Sequence, residues 1–215
     1  SLADPQAEGV LLFDIGGGST EIVWLASDRA RRHGAKAVTI WTSIELGVVS
    51  LAERFGGHHV DDETFEQMVD AFDEKLAPFV DEAMNQRACG RFHLLGTSGT
   101  VTTLAGVHLG LPRYDRNRID GLWMDVGDLS AVSKGLVTKD FAARAANPCV
   151  GADRADLVLP GCAILEAIVR RFPSERIRIA DRGLREGILL TLMAKAEKER
   201  QRQRRRDRFR ESRAE

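Results

Sequence analysis

The sequence predicts a mixed α/β domain: a three-stranded antiparallel meander, extended by parallel strands and covered by packed helices. Three observations carry this. Short runs rich in Val, Ile, Leu and aromatic residues occupy 10–14, 21–26 and "AKAVTIWTSIEL", Ala35 to Leu46, with turns between them. A long helical period follows from Val60. Later segments read as strand–turn–helix and helix–strand–helix, so further strands must be reached through crossovers. A meander cannot cover its own apolar face, so the later helices must pack on the sheet.

The first two runs are joined by the glycines of "DIGGGSTE", and the second and third by the polar "SDRARRHGA", which ends in Gly34 as a surface hairpin loop does. From Val60, Asp61 or Asp62 can cap a helix in which Phe65, Met68, Val69, Phe72, Leu76 and Val80 recur at three and four, with a bend expected at Pro78. "RFHLLGTSGT" reads as a buried strand, Phe92 to Leu95, turning tightly into a helix from about Thr100 to Leu109. "LPRYDRNRIDGLWMD" holds an excursion with one or two strands, and "DVGDLSAVSKGLV" a short helix capped by Asp125 or Asp128. A second long helix spans Ala155 to Phe172, with Pro160 as a kink or restart. "ERIRIA" is a final strand and "DRGLREGILLTLMAKAEKER" a final helix. That order is the ribonuclease-H-like layout. It gives one domain over residues 1–194 and a basic, helical or disordered tail over 195–215.

Composition narrows the function. The chain has 215 residues, 43% apolar and 29% charged, enough for one globular core. It carries no apolar run long enough to cross a membrane and no signal-like N-terminus, so a cytoplasmic protein with no membrane partner is expected. Cys89, Cys149 and Cys162 are odd in number and far apart, which argues against zinc or a disulfide framework. His58 and His59 follow "FGG" and read as a polar loop. Lys195 to Glu215 holds ten basic and five acidic residues, leaving a net of −6 on the rest. The tail reads as the solvated end of the last helix; the alternative is a tether for polyphosphate or RNA through clustered Arg. Nucleic acid is not the expected partner.

The chemistry concentrates in glycine clusters. Asp14 ends a strand and Gly16, Gly17 and Gly18 form the turn, so successive backbone N–H groups can line a nest for an oxyanion. The hydroxyls of Ser19 and Thr20 can add hydrogen bonds, and Asp14 and Glu21 can hold a divalent cation or orient a water. A P-loop would need a Lys after the glycines, and a dinucleotide fingerprint would need a helix where a strand follows; neither fits. A two-residue hairpin turn would need only Asn-Gly or Gly-Gly. A second cluster, Gly96, Thr97, Ser98, Gly99 and Thr100, joins a strand to a helix, where free N–H groups favour anions, and could face the first loop. It is not a nucleophile elbow, because Thr100 stands where G-x-S-x-G needs glycine and no suitable histidine follows. A cap by Thr97 or Ser98 is compatible with ligand contact. In "ADRGLREG", Asp181 and Arg182 stand at a strand end; Asp181 as an N-cap and Arg185 with Glu186 as ion pairs are equally good structural readings.

Five ordered segments, "FDIGGGSTEIVW", "SIELGVVSLAERF", "LLGTSGTVTTLAG", "ADRADLVLPGCAILEAI" and "IRIADRGLREGILL", resemble the exopolyphosphatase and guanosine pentaphosphate phosphohydrolase family. That family belongs to the actin-like, sugar kinase and Hsp70 superfamily, and the resemblance runs from Val10 to Leu192. It implies two ribonuclease-H-like domains facing across a cleft, with Mg²⁺-assisted hydrolysis of the terminal phosphate of polyphosphate or guanosine pentaphosphate. It implies that Asp14 and Glu21 are the acids beside metal and water, that Gly16 to Ser19 bind phosphate, and that Gly96 to Thr100 match the loop that approaches adenosine in nucleotide-binding relatives. The chain resembles the second domain. A first domain, with its own phosphate loop and a catalytic glutamate, is the expected missing partner, and homodimerisation is a family possibility. The chain alone is therefore expected to turn over poorly, because phosphoryl transfer needs charge neutralisation from several directions. The rival readings are an actin-like or sugar-kinase ATPase and a non-catalytic phosphate- or nucleotide-binding module.

Overall fold

The computed structural model describes residues 2–26, 39–85 and 91–182. Residues 1–181 form a compact unit. Its centre is a six-stranded sheet of β1 (Gly9–Ile15), β2 (Thr20–Ala26), β3 (Thr39–Ile44), β4 (Phe92–Thr97), β5 (Trp123–Asp125) and β6 (Arg176–Ala180). The order is β3-β2-β1-β4-β6-β5. β1, β2 and β3 form the expected antiparallel meander. β4 joins β1 in parallel and β6 joins β4 in parallel, each after a helical crossover. The short β5 closes the far edge, antiparallel to β6. It is the strand in the excursion that the sequence placed between Leu111 and Asp125.

Strand parity sorts the side chains. Leu11, Phe13, Ile22, Trp24, Leu94, Ile177 and Ile179 are nearly or fully buried in one large core. Each such side chain contributes about 1.5–3 kcal/mol by leaving water. Over this core lie α1 (Val48–Phe55), α2 (Asp62–Asn85), α3 (Gly99–His108) and α7 (Val158–Arg171). The α3–α7 stretch also contains α4 (Arg116–Ile119), α5 (Val126–Val137), α6 (Phe141–Ala145) and a 3-10 turn at Ala152–Arg154.

The helices can be set beside their sequence-based expectations, with Asp61 one of the two caps expected for α2. α2 is capped by Asp61, whose Oδ1 accepts the Thr64 N–H at 2.8 Å, and it runs through Pro78 to Asn85. α7 starts at Val158 rather than Ala155, which places Pro160 in the first turn, where a missing N–H costs no helical bond. α1 has no side-chain cap and no acid in its first turn, so its start has no sequence signature. α2 and α7 are pinned by paired forks: Arg170 donates to both Glu66 oxygens at 2.8 Å, and Arg171 grips Asp73, with its Nε 2.6 Å from Oδ1. These guanidinium groups hold the Glu66 and Asp73 carboxyls below their ordinary range. The hairpin loop 27–38, the final helix and the boundary at Ala194 lie outside the described residues, as does the tail.

Candidate functional site

The meander register sets the first half of the site. Asp14 and Glu21 are direct cross-strand partners on β1 and β2, and Thr97 on β4 lies beside Asp14. Side chains directly opposite start about 4.5–5.5 Å apart, so the two carboxylates share one face. Glu21 is held from two sides: its Oε1 accepts the Ser19 hydroxyl at 2.7 Å and the Ser43 hydroxyl at 2.9 Å. Burial and the Glu21 charge together raise the Asp14 carboxyl above its ordinary value. Neither acid has a Lys or Arg partner among the described residues. Nor does a third acid, His or Cys gather beside them there. Two close carboxylates without a counter-charge are a donor set suited to Mg²⁺, which takes one or two carboxylates and fills the rest with water and phosphate oxygens.

The glycine turn gets its shape from α1. Gly16 N–H donates to Ser19 O at 2.8 Å and closes the turn. The Gly16 carbonyl accepts Val48 N–H at 3.0 Å, and the Gly17 carbonyl accepts Val49 N–H at 2.8 Å. Those carbonyls cap the start of α1, replacing the missing side-chain cap. In a trans peptide the N–H points opposite to the C=O, so the Gly17 and Gly18 N–H groups face away from α1. Among the described residues they have no acceptor, and neither has Ser19 N–H. The open donors are therefore Gly17, Gly18 and Ser19, with Gly16 closing the turn. None of the three glycines has a positive φ, and close packing accounts only for Gly16. A Cβ on Gly16 would stand 2.8 Å from Ser19 O, and one on Gly18 would meet nothing within 4 Å.

The two hydroxyls behind the glycines divide. Ser19 donates to Glu21, at the site. Thr20, which the sequence offered as a phosphate contact, is fully buried, and its Oγ1 donates to Leu46 O at 2.9 Å. As the first residue of β2 it shares the inward parity of Ile22 and Trp24, so its hydroxyl ties the hairpin to the segment before α1.

The second cluster is brought to the first, as expected, but its residues do different things. Gly96 lies inside β4, and a Cβ there would be 2.9 Å from the Phe13 ring. Thr97 is buried. Ser98 is the N-cap of α3, its Oγ accepting Val101 N–H at 3.3 Å. Only Gly99 and Thr100 reach the cavity, of about 180 Å³, that they share with Ile15, Gly16, Gly17 and Arg154. The start of α7, which carries no side-chain cap, enters the same cavity at Leu157 and Val158. Two helix N-termini thus converge there, and each favours negative charge.

Arg154 was not singled out in the sequence. It is an exposed residue of the 3-10 turn, its guanidinium lying against Gly99 and 3.4 Å from Thr103 Oγ1. Behind it stands Arg144, 1% exposed. Arg144 donates to the carbonyls of Ala155 at 3.1 Å, Lys139 at 2.6 Å, and Gly57 and His58 at 2.9 Å. It clamps the turn that carries Arg154. In the third cluster Asp181 is tied to the segment before β5: its Oδ2 accepts the Tyr114 hydroxyl at 2.7 Å and lies 3.3 Å from Arg116 Nε. Burial and this carboxylate push the Tyr114 hydroxyl up to about 12. Arg185 and Glu186 lie outside the described residues.

Comparisons with known proteins bear on the chain as a whole. A sequence model described as the Ppx/GppA phosphatase family matches residues 2–196. A putative exopolyphosphatase of Haemophilus influenzae is 29% identical over 195 residues, covering 87% of this chain and 53% of that protein. A guanosine-5'-triphosphate,3'-diphosphate pyrophosphatase of Aeromonas hydrophila is 28% identical, covering 85% of this chain and 34% of its own length. The crystal structure of an exopolyphosphatase from Cytophaga hutchinsonii superposes with a TM-score of 0.73 at 25% identity, over 89% of this chain and 59% of that one. The chain spans about half the length of the Haemophilus protein, a third of the Aeromonas protein and under three fifths of the Cytophaga chain.

Proposed function

The chain belongs to the Ppx/GppA phosphatase family, and from that premise we propose that it forms one wall of a cytoplasmic, Mg²⁺-assisted phosphoanhydride hydrolase. Its substrate is polyphosphate or guanosine pentaphosphate, from which the terminal phosphate is released. The observation that carries the reading is the β1–β2 junction, where three open N–H groups stand beside two opposed, uncompensated carboxylates. The N–H groups of Gly17, Gly18 and Ser19 hold oxygens of the terminal phosphoryl group. Across the cavity Arg154 and the starts of α3 and α7 take the charge of the phosphate behind it. Asp14 and Glu21 orient the attacking water, whose oxygen bonds to the terminal phosphorus as the bridging P–O bond breaks. Asp14 and Glu21 would hold a divalent cation, which when bound would supply neutralisation of the phosphate charge. Among the described residues no basic side chain partners either acid.

The water proton has to pass to a base on the facing wall and then to the leaving phosphate oxygen. A first domain of the same family is the proposed source of that wall. Family membership favours hydrolysis over the kinase or ATPase alternative, while a phosphate-binding module without turnover describes what this wall does alone. The test is Mg²⁺-dependent phosphate release from polyphosphate and from guanosine pentaphosphate, by the 215 residues alone and joined to such a first domain. Release that is weak alone and strong when joined supports the proposal. Robust release by the isolated chain refutes the two-wall arrangement.

A further inference from the structure

We propose that Ser43 is a positioning residue for Glu21, holding its carboxylate so that one oxygen is turned to the cation and water. The proposal rests on the hydrolase reading above. Ser43 and Glu21 are register partners on β3 and β2, and Glu21 is the partner of Asp14 on β1. Ser43, Glu21, Asp14 and Thr97 therefore form one row across four strands.

Two hydroxyls donate to the same atom, Glu21 Oε1: Ser19 at 2.7 Å from the turn and Ser43 at 2.9 Å from the edge strand. They approach from different elements, so together they fix a side chain that otherwise rotates about three bonds. Both lone pairs of Oε1 are then in use, and Oε2 has no protein donor among the described residues. The carboxylate is thus prepared to bind through one oxygen, as Mg²⁺ sites with few protein ligands require. Ser19 alone cannot do this, because it lies in the turn whose backbone is to close on phosphate. Ser43 sits on β3, outside that turn, and is exposed, so its replacement leaves the core untouched.

The test uses the full chain and Mn²⁺ alone as probe, with free Mn²⁺ read by electron paramagnetic resonance. Ser43→Ala should weaken Mn²⁺ binding about tenfold or more with an unchanged melting temperature. Ser43→Thr, which restores a hydroxyl, should bind within about twofold of the parent. Asp14→Asn and Glu21→Gln should each lose binding. If those two variants bind as the parent does, the acid pair is not the metal site and the hydrolase reading falls with the proposal. If they lose binding while Ser43→Ala keeps it, or if Ser43→Thr is as weak as Ser43→Ala, the positioning role alone is overturned.

Discussion

The two glycine clusters look alike in the sequence and do different work in the structure. In the first, backbone carbonyls of Gly16 and Gly17 are taken by α1, so the N–H side is left open. In the second, Gly96 is packed in the core and Ser98 caps α3, so only Gly99 and Thr100 reach the shared cavity. Glycine thus marks a place where something comes close: a helix start behind the first loop, a phenylalanine ring and an arginine beside the second. The first loop differs in that its two glycine carbonyls are held by a helix more than thirty residues later, which turns its N–H groups the other way.

That contrast can be broken from behind the first loop. A Cβ on Gly47 would collide with the carbonyls of both Gly16 and Gly17. Gly47→Val should therefore displace the turn and lower tripolyphosphate affinity by well over tenfold, about 1.4 kcal/mol or more, as read by calorimetry on protein shown to be folded. Next in size is Arg154→Ala, expected to cost about tenfold in the same affinity and to flatten its salt dependence. An unchanged salt dependence would remove Arg154 from the site. Ser98→Ala sharpens the comparison from the other side: loss of the cap should cost about 1 kcal/mol of stability in chemical denaturation, with tripolyphosphate affinity unchanged.

The smallest effect is a matter of pH. Asp14 has a folded-state pKa above its ordinary 3.8, raised by burial and by Glu21. A raised carboxyl favours the fold while protonated, so this contribution is present below about pH 3.8 and is lost as pH rises through the folded value. Asp14→Asn should then melt higher than the parent at pH 7 and show no such gain below pH 3.8. A lower melting temperature at pH 7 would mean that Asp14 is not strained by its neighbour.

Much of this was legible in the sequence because it rests on local rules. Short apolar runs between turns gave the meander, apolar positions at three and four gave α2, and the acid–glycine–hydroxyl order marked the β1–β2 junction. The parity of β2 was legible too: Thr20 alternates with Glu21 and joins Ile22 and Trp24 in the core, so its inward hydroxyl could have been read from spacing. The start of α1 could not, because its caps are carbonyls more than thirty residues earlier in the chain. Arg154 lay equally hidden, being an exposed arginine in a three-residue turn that matters only because the sheet brings Gly99 beneath it. Arg144 gave no pattern either, since its acceptors are carbonyls from three separate segments.

The central claim is that the open N–H groups of the first loop take the phosphate. The direct measurement is a titration of the amide resonances of the ¹⁵N-labelled chain with tripolyphosphate in the presence of Mg²⁺. Saturable shifts at Gly17, Gly18 and Ser19, with smaller ones at Gly99 and Thr100 and none at Gly96, are the predicted result. Unmoved Gly17, Gly18 and Ser19 amides, with shifts confined to the basic residues after Lys195, would contradict it.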